Sequence, residues 1–152
     1  MAVLPAGIDP ATVRSDVIAT ARDRYGNAAM NRALASSAYL IVKRFAGMAP
    51  PPPPGAGADW RPPTPAALLI RDGETWQVAT ADGWRPGDVA AAAEIDRILS
   101  DDRFWAEPTF VQACPDFGSS NAVLKLPRKH EAVRIAQCSS AAANLVEAAL
   151  RT

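Results

Sequence analysis

Residues 38–45 read AYLIVKRF, and the way this octet folds decides the architecture. Apolar positions before and within it keep a helical rhythm. Met30, Leu34, Ala38, Ile41 and Phe45 follow one another at steps of four, four, three and four, and Gly47 stands where such a helix would stop. The spacing predicts a helix across residues 30–45. The β-branched and aromatic content of the octet would also suit a strand, so 39–45 is where the two readings compete, and helix is the one taken.

Upstream, Asp9 is a suitable N-cap, and Pro10 occupies the first helical position, where its missing N–H costs nothing. Val13, Val17, Ala21 and Tyr25 then recur every four residues as one apolar stripe, and Gly26-Asn27 ends it. Residues 1–49 therefore read as an N-terminal helical pair. Its alanine-rich stripes have too little bulk for a separate core, so the pair is expected to pack on the rest of the chain, or on a second copy as a homo-oligomer.

Downstream, residues 50–65 hold eight of the fourteen prolines. Five in a row, Pro50 to Pro54, lock φ and remove backbone donors, which favours polyproline II. At about 3.1 Å per residue this is a stiff spacer of roughly 15 Å, read as a linker rather than as a ligand for a proline-reading domain.

After the linker the period changes. AALLIRDGETWQVATADGW reads as two strands joined through Asp72-Gly73, a hairpin signal. PGDVAAAAEIDRILSDDRFW is helical, capped by Asp88, and Asp101-Asp102 oppose its dipole and end it. TFVQAC, NAVLKL and EAVRIAQC follow as a three-stranded meander, and a last helix begins at Ser139 or Ser140. The fold class is α+β: a mainly antiparallel sheet in the order ββαβββα with helices on one face, preceded by the helical pair and the Pro-rich linker. Residues 66–152 are expected to be the folding domain, with 1–49 and 50–65 as appendage and linker.

The bulk properties restrict function. Sixteen basic and sixteen acidic side chains cancel, with a pI near 6.6, so there is no basic excess for nucleic acid or an anionic membrane. No run approaches the ~18 apolar residues of a membrane span. The start MAVLPAGIDP lacks the basic and apolar regions of a signal peptide. No dinucleotide, phosphate-loop, nucleophile-elbow, zinc-protease or EF-hand pattern occurs, so no cofactor is expected. The DFG of residues 116–118 stands without any other kinase element.

Both cysteines and the single histidine fall within residues 110–138. In a meander, Cys114 and Cys138 lie at one end of the sheet and His130 at the other, roughly 20 Å away for six residues of strand. A thiol–imidazole pair needs about 3 Å. A disulfide across the 23 intervening residues is the preferred reading, at roughly 3 kcal/mol of stabilisation. Two strands flanking a third are ~9.6 Å apart, too far to bridge, so the chain ends must converge or the strands be neighbours. Two cysteines without a further cluster do not make a zinc site. A disulfide implies a periplasmic or secreted location; a cytoplasmic one is the alternative.

Two other groups could bind. DWRPP at 59–63 is echoed by GWRPG at 83–87, so Trp60 and Trp84 with Arg61 and Arg85 could form an aromatic platform, or simply pin loops while Trp76 and Trp105 enter the core. Lys125, Arg128, Lys129, His130 and Arg134 gather around a predicted turn that could receive a carboxylate, a phosphate or an acidic partner. It could also simply be a solvated turn, the reading preferred since Glu131 and acidic residues elsewhere leave no broad basic field. The functional expectation is a non-enzymatic, exported, disulfide-stapled module that binds a protein or a component of the bacterial cell envelope. The alternative is a small hydrolase or thiol enzyme using Cys114 or scattered carboxylates.

Overall fold

The computed structural model describes residues 9–45, 51–60, 64–111, 118–137 and 139–152. Among them, α1 (Pro10–Tyr25) and α2 (Asn27–Ala35) precede β1 (Tyr39–Phe45). Then come β2 (Ala66–Asp72), β3 (Thr75–Thr80), β4 (Gly83–Pro86), α3 (Val89–Leu99) and α4 (Asp102–Ala106). The chain closes with β5 (Phe110–Val111), β6 (Ser119–Lys125), β7 (Ala132–Ala136) and α5 (Ala141–Arg151). The fold is α+β, with a mostly antiparallel seven-stranded sheet in the order β4-β3-β2-β1-β6-β7-β5.

The octet at 38–45 is a strand, which corrects the helical expectation. α2 ends at Ala35 with Ser36 extended, and β1 pairs antiparallel with β2 on one side and β6 on the other. The reason lies in its two faces. Tyr39 and Ile41 enter the core beneath α1 and α2, while Leu40 and Val42 enter the core beneath the C-terminal helices. A strand covered on both faces reads as a continuous apolar run, which periodicity cannot tell from a buried helix. The proline-rich residues thus form part of the connection between β1 and β2.

Helices cover both faces of the sheet rather than one. The α1 stripe is as read, with Val17 and Ala21 buried and Val13 and Tyr25 packed at its edges; the pair docks on its own sheet, against β1, β2 and β6. The opposite face takes Ile95 and Ile98 of α3, Phe104 of α4 and Leu145, Val146 and Ala149 of α5. Three further points differ from the expected order. The turn after β3 adds a fourth strand, β4, on the edge. Asp101 does not merely end a helix: its carboxylate accepts the Arg103 amide at 2.9 Å and caps α4. β5 does not lie beside β6 but pairs parallel with β7, Phe110 opposite Ile135 and Val111 opposite Ala136. The caps at Asp9, Asp88 and Ser140 each accept a helix amide as read.

Candidate functional site

The site follows from the position of β1. β2 and β6 flank it, so their ends are two strand spacings apart, roughly 10 Å. At the start of β1, Tyr39 is level with Ile70 and with Lys125; β6 ends there, while β2 runs on to Asp72. Beyond that level the chain turns at Gly73-Glu74 into β3 and at residues 126–131 into β7. Gly73 has φ 66°, which a residue without Cβ adopts freely. The Arg71 amide donates to the Ala38 carbonyl at 3.1 Å, closing the floor between them. The result is a cleft of about 450 Å³ lined by Ser37, Ala38, Arg71, Gly73, Leu126, Pro127 and Lys129.

Its two cations are each seated on an indole. The Arg71 guanidinium lies 5.8 Å from the Trp76 ring centroid and ion-pairs with Asp96 of α3. Trp76 is itself buried, and its Nε1–H donates to the same Asp96 carboxylate at 2.9 Å. Lys129 Nζ stands 4.1 Å from the centroid of Trp105. That ring is fixed by Nε1–H donation to the Leu99 carbonyl at 2.8 Å and by edge-to-face packing on Phe104 at 5.0 Å. Among the described residues the Lys129 ammonium meets no carboxylate. Cation–π contacts of this kind are worth roughly 0.5–1 kcal/mol at exposed sites, enough to place a long side chain while leaving its charge unneutralised.

Behind the cleft, on the other face of the sheet, the same turn is tied to α1. Arg14 reaches Glu131 with two guanidinium nitrogens, and the Tyr39 hydroxyl donates to the same carboxylate. Burial, with the Glu131 hydrogen bond, pushes the Tyr39 hydroxyl up to about 12. Burial works against ionisation of Glu131 too, but the bonds from Arg14 and Tyr39 prevail and hold it below the ordinary carboxylate range.

Two smaller clefts lie on the α3–α5 side. One, of about 300 Å³, includes Arg97, Asp101, Arg103 and Glu107. There Glu107 already occupies the N-terminus of α5, accepting the Ala141 and Ala142 amides at 3.2 and 3.1 Å. The other, of about 240 Å³, is lined chiefly by Ser120, Gln137, Ser139, Asn144 and Glu147. Beneath this layer Arg134 is buried against Phe104, its ring centroid 5.4 Å away, and desolvation lowers the guanidinium's pKa.

The residues expected to bind are only partly brought together. Lys125, Arg128, Lys129 and His130 do share one turn. Lys125 commits its ammonium to the Leu126 and Lys129 carbonyls, at 3.2 and 3.0 Å. Arg128 holds a left-handed φ of 66°, and Arg128 and His130 are exposed. Trp84 and Arg85 lie on β4, the edge strand, with the Arg32 guanidinium 5.0 Å over the Trp84 ring and Arg85 exposed, donating to the Pro86 carbonyl. Trp60 is half-buried in the β1–β2 connection. Cys114, Cys138 and Arg61 lie outside the described residues.

Arg71, which lines the cleft, is a candidate residue absent from the sequence reading. Its signal was an arginine closing the apolar run of residues 66–70, two positions after Leu69 and therefore on the strand face that Leu69 turns toward the C-terminal helices. No group of three or more potential metal-ligating residues occurs among the described residues, and no described helix is long and apolar enough to cross a membrane. No protein-family model, curated protein or solved structure matches the chain.

Proposed function

We propose that the protein is a non-enzymatic binding module, exported to the bacterial cell envelope and held by a Cys114–Cys138 disulfide. Its recognition surface is the cleft between the β2–β3 and β6–β7 turns, which receives an anionic group of the partner. The observation that carries this reading is the pair of cations, Arg71 and Lys129, lining one cleft and each backed by a tryptophan. Guanidinium and ammonium groups hold an anion by charge and by several N–H donors, and the apolar Leu126 and Pro127 beside them supply contact area.

The disulfide part of the reading is supported from the neighbouring strands. Val111 of β5 is the register partner of Ala136 in β7, and these residues stand three and two positions before Cys114 and Cys138. Adjacent strands are about 4.8 Å apart, within the ~7 Å that a bridge tolerates. A bridge there implies an oxidising compartment.

Amide-resolved NMR with a chemically mixed probe set tests the binding surface. Acetate, ethylammonium, glucose and cyclohexanol are added separately to the full chain. Acetate is expected to move the amides of Ser37, Arg71, Gly73 and Lys129 as one saturable group. Shifts confined to another surface, or none at the cleft with any probe, would overturn it.

A further inference from the structure

We infer that the cleft selects a single carboxylate attached to an apolar residue, and that the natural form of this ligand is the free C-terminus of a peptide ending in an aliphatic side chain. The inference rests on the proposed binding role of the cleft and names its ligand chemistry.

Charge balance sets the ligand's charge. Arg71 and Lys129 bring two positive charges, and Asp96, ion-paired to Arg71, returns one, leaving one net positive charge. The two turns as a whole keep that balance: Asp72 and Glu74 on one offset Lys125 and Arg128 on the other. A monoanion neutralises such a site. A dianionic phosphate would leave uncompensated charge beside Asp96.

Donor geometry points the same way. Arg71 uses Nη1 on Asp96 and Nε on the Gly73 carbonyl at 3.3 Å, which leaves Nη2. Lys129 Nζ, held over Trp105, supplies a second donor on the same cleft. Two separate donors suit the two oxygens of one carboxylate. Asp96 cannot swing away to free the rest of the guanidinium without abandoning the Trp76 indole N–H, which would leave a polar group of a buried ring unpaired.

Shape sets the rest of the ligand. A volume of about 450 Å³ lies in the ~300–1,000 Å³ range of small-ligand sites, enough for a terminal residue and its neighbour. Ala38, Leu126 and Pro127 give its wall an apolar part suited to an aliphatic side chain. A chain terminus enters such a cleft end-on, and capture of a C-terminal carboxylate is a known recognition mode. A carboxylate inside a peptide must bring two chain directions past the flanking turns.

The test is calorimetric titration of the full chain, with its amide NMR spectrum followed alongside, using four probes: acetyl-Ala-Ala-Leu as the free acid, its C-terminal amide, acetyl-Ala-Glu-Leu amide, and inorganic phosphate. The free acid is expected to bind at least about tenfold more tightly than the other three, a tenfold ratio being one charge-assisted contact. Lys129→Met should lower free-acid affinity about tenfold and leave amide binding unchanged. Equal binding of acid and amide, with cleft amides shifting for both, would overturn this inference and leave the binding surface standing. Tighter binding of phosphate or of the internal glutamate would overturn it as well. If no probe shifts the cleft, both the inference and the binding surface fall. Arg71→Lys, which keeps the charge but removes the Nη2 donor left over from Asp96 and Gly73, serves as a second variant and is expected to weaken only the free acid.

Discussion

Leu40 sits opposite Leu69 of β2 on one side and opposite Leu124 of β6 on the other. All three are buried in the same core. A residue that precedes the proline-rich segment thus occupies the middle of a sheet whose other strands follow it.

With β1 in this position the sheet is expected to need it, so the division that makes residues 66–152 the folding domain is not expected to hold. Without it, β2 and β6 each lose a full ladder of backbone hydrogen bonds and a covered face. Residues 66–152 expressed alone are expected to give a broad, uncooperative thermal melt, whereas the full chain melts in one transition. In the full chain, Leu40→Ala should cost roughly 3 kcal/mol, as truncation of a fully buried leucine does. A sharp melt for the fragment would contradict the central place of β1.

The join between α1 and the sheet is expected to be pH-dependent. Glu131 is held below the ordinary carboxylate range, so its stabilisation is present above that range and lost as pH falls through it. Tyr39 is pushed up to about 12. Its contribution is complete below its ordinary value near 10 and disappears as pH rises toward 12. Glu131→Gln should lose about 1–2 kcal/mol at pH 7 and should differ less from the parent at pH 3. Chemical denaturation at the two pH values measures this; a gap that widens in acid would contradict it.

The cysteines give a stability test of the proposed bridge. Cys114→Ser and Cys138→Ser should each cost a similar amount, on the order of 3 kcal/mol, and the double variant little more. Either substitution alone removes the whole cross-link, so the effects do not add. Thiol titration of the unfolded parent without reductant should find no free thiol. Additive, unequal losses would indicate two independent thiols.

Much of the framework could be read from local chemistry. The caps at Asp9, Asp88 and Ser140 and the turn at Asp72-Gly73 depend on a few adjacent residues, and each stands where it was expected. The parts that were misread depend on distant contacts. β1 is ambiguous in isolation because helices from different parts of the chain cover its two faces. β4 has only four residues and owes its place to pairing with β3. The parallel pairing of β5 with β7 carries no local mark at all. The candidate site divides in the same way. Lys129 was visible as part of a basic turn. Arg71 became its partner only because β1 lies between β2 and β6 and sets their two turns around one cleft.

Leu126 offers the most direct test, because among the described residues it is the one leucine lining that cleft, while Leu40, Leu69 and Leu124 report on the core beneath. With the leucine methyls isotopically labelled, acetyl-Ala-Ala-Leu free acid is titrated into the full chain. The Leu126 methyls are expected to shift in a saturable way while those of Leu40, Leu69 and Leu124 stay in place. A Leu126 signal that remains fixed at saturating peptide would contradict it.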